Sequence, residues 1–197
     1  MTQTGTVLVS EAGEVTDLAV DRWRGRADAV ELSLLATVPN PVLDVGCGPG
    51  RIATALAAAG RIALGVDTSP WAVDEAIRRR APVLQRSVFG PLPGEGRWAT
   101  VLLLDGNVGI GGDPGALLAR CAELVRPGGH VIVELEPPGV ATRAVNARLH
   151  SPAGYGPWFP WAHVGIDAFP DLATSAGLHA AGGAVGGGRW FGRAVTL

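Results

Sequence analysis

An apolar strand that runs into three closely spaced glycines and out again as a helix leaves few folds open to a chain. Residues 42–50 (Val-Leu-Asp-Val-Gly-Cys-Gly-Pro-Gly) carry that pattern. Glycines there let bare backbone and the first helical N–H groups approach a ligand. Such units build open parallel sheets whose ligands sit at the carboxyl ends of the strands. From about residue 26 the chain keeps to this alternation. It predicts helices over Ala27–Thr37, Arg51–Ala59, Ser69–Arg79, Asp113–Val125 and Asp167–Ala176. Strands are predicted at Val42–Val45, Ile62–Val66, Pro82–Val88, Ala99–Leu104 and His130–Glu136, followed by a hairpin of Leu178–Val185 and Trp190–Thr196. Ser69-Pro70 and Asp113-Pro114 each set a capping side chain ahead of a proline at the first helical position. The stretch Gly90–Arg97 reads as loop, leaving the third crossover little or no helix. The expected fold class is α/β: a doubly wound, mostly parallel sheet with helices on both faces, in one domain over residues 1–197.

Two segments stand outside the alternation. Residues 1–25 form an N-terminal extension with a hairpin over Thr6–Val20. Residues 143–164 form an insertion that packs Tyr155, Trp158, Phe159 and Trp161 into seven positions.

Composition removes several function classes. Glycine, at 29 of 197 residues, is about twice its usual share, yet no G-X-Y period appears, and 47% apolar content is too high for disorder. All sixteen basic residues are arginine, which excludes a Schiff-base lysine and a phosphate-loop lysine. A net charge of −2 gives no overall field for nucleic acid or an anionic membrane, and Arg78-Arg79-Arg80 suits the end of a helix. Cys47 and Cys121 lie far apart with no metal-ligand spacing, so no metal is expected. The N-terminus lacks a signal-peptide pattern, and no apolar stretch approaches a membrane span. The expectation is a soluble, cytoplasmic protein.

The glycine loop calls for an adenosine-type ligand. Asp67 ends the next strand, 21 residues after Gly46, where a carboxylate accepts hydrogen bonds from ribose hydroxyls. A dinucleotide loop wants a third glycine where this chain has Arg51. Asp44, two residues before Gly46, would repel a pyrophosphate but suits a ligand with an ammonium group. S-adenosylmethionine (SAM), with its ribose, sulfonium and zwitterionic tail, has that profile.

The motifs LDVGCGPG, GVDTSP, VLLLD and LVRPGGHVIVE resemble those of the class I SAM-dependent methyltransferases over about residues 26–136. The resemblance implies a seven-stranded Rossmann-like sheet of order 3-2-1-4-5-7-6 with strand seven antiparallel. It places Asp44 near the methionine ammonium, Gly46, Cys47, Gly48 and Gly50 along the loop, Asp67 on the ribose and Thr68 beside the adenine. The family's third strand often ends in an acid that meets adenine. Here Ser87 stands in that place, with the Val88 N–H as a substitute partner. Cys47 reads as a small buried residue of the loop rather than a reactive thiol.

The acceptor side follows from strand ends that face the cofactor. Asp105, after the fourth strand, is expected at the cofactor or as a base, and Asn107 at the acceptor; a turn-capping role for Asp105 is the plainer alternative. The loop lacks the N-P-P-Y or D-P-P-Y sequence of enzymes that methylate adenine or glutamine nitrogens. Glu134 and Glu136 share a face of the fifth strand. His163 is the preferred general base, with His150 behind it. Trp158, Phe159 and Trp161 form either an acceptor lid or a plug of core at the sheet end, and Trp23 closes the opposite side. The expected function is methyl transfer from SAM to the O, N or C of a small-molecule acceptor. The rivals are a SAM-fold protein without methyl transfer and an NAD(P)-dependent oxidoreductase.

Overall fold

The computed structural model describes residues 6–197, so residues 1–5 of the N-terminal extension lie outside it. The chain forms β1 (Val7–Ser10), β2 (Val15–Asp17), α1 (Val20–Arg24), α2 (Ala29–Thr37), β3 (Val42–Val45), α3 (Arg51–Ala58), β4 (Ala63–Asp67), α4 (Pro70–Arg78) and β5 (Val83–Gln85). There follow β6 (Trp98–Leu103), α5 (Pro114–Leu124), β7 (Val125–Leu135), β8 (Arg143–Ser151), β9 (Gly154–Tyr155), β10 (Phe159–His163), α6 (Phe169–Ser175), β11 (His179–Gly186) and β12 (Arg189–Val195).

The main sheet has seven strands in the order β11-β12-β7-β6-β3-β4-β5. Strands β5, β4, β3, β6 and β7 pair in parallel, and β12 runs antiparallel to both its neighbours. This is the order and the single reversal that the family resemblance implied. The central strands are apolar because both faces are covered. Val101 and Leu103 of β6 join the cluster beneath α5 and α6, while Leu102 joins Leu35 of α2 and Ile52 and Leu56 of α3 on the other face. Capping follows the sequence signals: the Ser69 and Asp113 side chains accept from the backbone N–H of Ala72 and Ala116. Residues 86–97 contain no helix, as expected.

Some boundaries differ. Val125 pairs with Trp98, and the register then shifts so that His130 pairs with Thr100. Strand β7 therefore starts five residues before the expected His130, interrupted by the Pro-Gly-Gly kink. The last helix opens as a 3-10 turn at Ile166–Ala168 before α6. Helix α1 was not expected.

The larger difference is a second sheet. Strands β10-β8-β1-β2 form an antiparallel sheet, with β9 on β8. The N-terminal hairpin and the aromatic insertion are thus one structure, joined by pairs such as Leu8–Leu149 and Ala147–Phe159. The period-2 signal was present, since Val145, Ala147 and Leu149 alternate with Asn146, Arg148 and His150. The aromatic tract beside it masked that alternation.

Candidate active site

The site forms where β3, β4 and β6 end. The Gly46 and Cys47 N–H groups both donate to the Val66 carbonyl, at 2.9 and 3.1 Å, folding the loop across the end of β4. Gly46, Gly48 and Gly50 take φ of +69°, +52° and +79°, which side chains with a Cβ rarely adopt. The Gly48 N–H donates to Asp67 Oδ2 at 2.9 Å and the Ser69 N–H to Oδ1 at 2.8 Å. Asp67 thereby faces the cavity with its remaining lone pairs available. A Cβ on Gly48 would meet nothing within 4 Å, whereas one on Gly50 would strike the Cβ atoms of Ala81 and Ala76 at 2.7 and 2.9 Å. Gly50, expected among the cofactor contacts, is absent from the cavity lining; it is a packing glycine that seats α3 on α4.

Asp44 lies at the floor, 2% exposed, and its Oδ2 is buried without a hydrogen-bond partner among the described residues. Burial raises its pKa to about 7; Asp105, Asp67 and Glu31 add to the rise and Arg51 opposes it. Cys47 packs against Gly65, and burial, with Asp44 and Asp67 nearby, pushes its thiol up, so it carries no reactive thiolate.

Around Asp44 runs an ion-pair network that the sequence reading missed. Arg51, the first residue of α3, turns inward at 3% side-chain exposure, donating to Glu31 Oε1 at 2.6 Å and Asp105 Oδ2 at 2.5 Å. Arg22 of α1 takes the other Asp105 oxygen. Arg189, from the terminal hairpin, forks onto both oxygens of Glu134 at 2.7 Å and reaches Glu31 at 3.0 Å. Burial works against the charge of Glu134, but the hydrogen bonds from Arg189 and from the Asp105 N–H hold its carboxyl below the usual range. The Asp28–Glu31 capping box was a readable signal for one member, since D-x-x-E opens α2. Asp105, expected as a base, has both oxygens tied to arginines and takes a left-handed φ of 56°. Its place in the network is that of an anchor.

Asn107, expected at the acceptor, lines the cavity, but its Nδ2 donates to the Val45 and Gly46 carbonyls at 2.9 Å each. It staples the glycine loop.

These residues bound a cavity of about 690 Å³, within the range of sites for drug-sized ligands. Thr68, Ser87 and Val88 line one end, and Trp23 lines the side closed by α1. The second sheet forms the roof, with Leu8, Thr16, Leu149, Phe159 and Trp161 on the lining. Beside them His163 Nδ1 stands 3.2 Å from Glu136 Oε1, and that contact holds the Glu136 carboxyl below its ordinary range. Glycines at 109 and 112, where a Cβ would strike the Ala162 carbonyl at 2.1 Å and the Pro160 Cβ at 2.9 Å, let β10 press onto the loop after β6. Trp158 is the exception. It is outside the lining and sits over the Arg148 guanidinium at 4.4 Å, because it precedes β10 on the side where Tyr155 also stacks. His150 stacks on Tyr155 at 4.2 Å, away from the cavity. Among the described residues, no cluster of His, Cys, Asp or Glu could hold a metal.

A family model described as a methyltransferase domain matches residues 21–170. The chain belongs to the class I SAM-dependent methyltransferases. A ubiquinone biosynthesis O-methyltransferase from Alkalilimnicola ehrlichii is 32% identical over 114 residues, covering 54% of this chain and 46% of that protein. One from Acinetobacter baumannii is 33% identical over 99 residues, covering 46% of this chain and 41% of that protein. This methyltransferase thus matches less than half the length of those relatives. Among solved structures, a SAM-dependent methyltransferase from Bacteroides fragilis bound to S-adenosylhomocysteine superposes with a TM-score of 0.79 at 21% identity, covering 98% of this chain and 88% of that one. The SAM-bound amino pentose methyltransferase CalS10 from Micromonospora echinaspora gives 0.62 at 19% identity, covering 91% and 95%.

The residues present fit SAM. The unpartnered Asp44 oxygen matches an ammonium, the open face of Gly48 admits a ligand, and Asp67 has acceptor capacity left for hydroxyls. Asp67→Ala is expected to weaken SAM binding roughly ten- to a hundredfold, read by calorimetric titration; unchanged affinity would remove Asp67 from the ribose. Asp44 gives a pH test. Below about pH 7 its carboxyl is protonated and above that it is charged, so binding an ammonium expels one proton. SAM affinity should fall about tenfold per pH unit below 7 and level off above it. The same shift means that Asp44 favours the ligand-free fold most at low pH and that this contribution is lost as pH rises through 7. Asp44→Asn should therefore abolish the pH slope and weaken SAM, yet leave the melting temperature at pH 8 unchanged or higher.

Proposed function

We propose that this methyltransferase transfers the methyl of SAM to a hydroxyl of a small, largely apolar acceptor, with His163 as general base. The observation that carries this reading is the His163–Glu136 pair on the cavity wall, flanked by Phe159 and Trp161. When bound, SAM supplies an electrophilic methyl group. The chain supplies position and a proton acceptor. The Glu136 carboxylate accepts a hydrogen bond from Nδ1–H and leaves Nε2 of the ring as the basic atom. A hydroxyl held against Nε2 loses its proton as it attacks, a contribution of roughly a hundred- to ten-thousand-fold. The roof residues Leu8, Leu149, Phe159 and Trp161 hold the acceptor and keep water out; holding reactants in line is worth roughly 7–11 kcal/mol. Asp105 and Asn107 position the network and the glycine loop rather than touching the acceptor.

The O-methyltransferase names of the two relatives support an oxygen acceptor. The two cysteines are free and buried, which fits a reducing, cytoplasmic setting. Incubation with methyl-labelled SAM and a panel of phenols and amines of matched size tests the reading. Labelled methyl ethers are expected; label confined to amines would overturn the oxygen acceptor and the need for a base.

A further inference from the structure

One short turn stands between the two halves of the cavity. The 3-10 turn Asn107–Gly109 follows β6. At its start, Asn107 Nδ2 donates to the Val45 and Gly46 carbonyls at 2.9 Å each, which ties the turn to the glycine loop. Val108 is buried at 2% exposure and fixes the turn in the core. At its end, Gly109 lies against β10: a Cβ there would meet the Ala162 carbonyl oxygen at 2.1 Å and the Trp161 ring at 2.8 Å. Gly106, Gly111 and Gly112 take positive φ, whereas Gly109 does not. Contact, and not backbone conformation, therefore calls for a glycine at 109. Just past β10 the chain is held as closely, since the Glu136 N–H donates to the Val164 carbonyl at 2.9 Å and a Cβ on Gly165 would strike the Val140 carbonyl at 2.0 Å.

The turn thus sets the roof and the glycine loop at a fixed distance from each other. Ordinary contact begins at 3.4 Å, so a methyl group at 109 must displace its neighbours by more than an ångström. Asn107 and the buried Val108 block movement of the turn toward the glycine loop, and the displacement falls on β10. That strand carries Phe159, Trp161 and His163 on the cavity lining. We propose that Gly109 is a specificity-determining residue: by lacking a side chain it keeps the roof low enough to select thin acceptors, and a side chain there raises the ceiling for bulkier ones. The inference rests on the reading in which the roof holds the acceptor. It is independent of whether oxygen or nitrogen is methylated.

Para-cresol, para-isopropylphenol and para-tert-butylphenol, with the three matching anilines, form a series that separates the two readings. The wild-type enzyme should prefer para-cresol to para-tert-butylphenol by at least about tenfold in kcat/KM. Gly109→Ala should lower kcat for para-cresol roughly ten- to a hundredfold, because the roof carries His163 away with it, and leave S-adenosylhomocysteine affinity unchanged. The same variant should lose most of the discrimination against the tert-butyl group. Trp161→Ala takes the indole off Gly109 and should also shift preference toward the tert-butyl acceptor, which reads the ceiling even where Gly109→Ala does not fold. Equal rates along the wild-type series would overturn the proposal, as would an equal loss for all acceptors in Gly109→Ala, which marks a structural role. Label on the anilines alone, with the same size ranking, would overturn the hydroxyl acceptor and uphold the ceiling.

Discussion

Replacing His163 with alanine is expected to lower kcat roughly a hundred- to ten-thousand-fold while S-adenosylhomocysteine still binds normally. The ring lies on β10 in the roof, whereas Asp44, Gly46, Gly48 and Asp67 lie at the ends of β3 and β4. The two halves of the cavity are therefore separable by mutation. Glu136→Gln should give a smaller loss, because the ring remains while the group that orients Nδ1–H weakens. A glutamine can also donate to Nδ1, and that would turn the basic nitrogen away from the acceptor. A His163→Ala enzyme that retains kcat within about threefold would show that the acceptor attacks without a base, as a pre-ionised or amine acceptor does.

Arg51→Met is expected to destabilise the fold by about 3 kcal/mol and lower the melting temperature by roughly 6–12 °C. Glu31 is fully buried and would keep Arg189 as its one cationic partner beside the Asp28 N–H of the capping box, while Asp105 would keep Arg22 and a 3.9 Å contact with Arg189. An ion pair of this kind is weak evidence for stability when intact, but removal of one partner strands a charge out of water. The variant should lose SAM affinity as well. Arg51 is the group that opposes the rise in the Asp44 pKa, so without it Asp44 stays protonated at neutral pH and has no charge to offer an ammonium. Calorimetry in the presence and absence of ligand reads both effects. A melting shift under about 2 °C would mean that Arg189 alone compensates Glu31.

The glycine-loop end of the cavity was legible because its signals are local. Strand, loop and Asp67 fall within a single strand–helix–strand unit of sequence, and apolar runs, caps and glycines each report on their own neighbourhood. Gly50 shows the limit of such reading. Its left-handed φ suits a ligand loop, but contact with Ala76 and Ala81 depends on where α4 returns. The ion-pair network was illegible for the same reason. Glu31, Arg51, Glu134 and Arg189 lie on four different elements and Asp105 in the loop after β6, and nothing in one residue's sequence context names its partner. Arg51 was read only as a missing glycine. In the roof, the His163 assignment rested on its place after the aromatic tract. Its partner Glu136, noted for its strand face, became meaningful only when β10 lay beside the end of β7. Trp158 was grouped with Phe159 and Trp161 by composition, whereas only the strand that starts at Phe159 turns its side chains to the cavity.

The roof joins segments more than a hundred residues apart, with Val7 opposite His150 and Ser10 opposite Ala147. Under the proposed function, exchange of acceptor preference between relatives is a two-piece graft. Transplanting residues 143–163 alone would leave β8 beside a foreign β1 with mismatched cross-strand side chains, whereas moving residues 6–25 with them carries the intact seam. The Gly46–Gly50 loop and Asp67 can stay in the recipient, since the donor pieces contribute no residue to either.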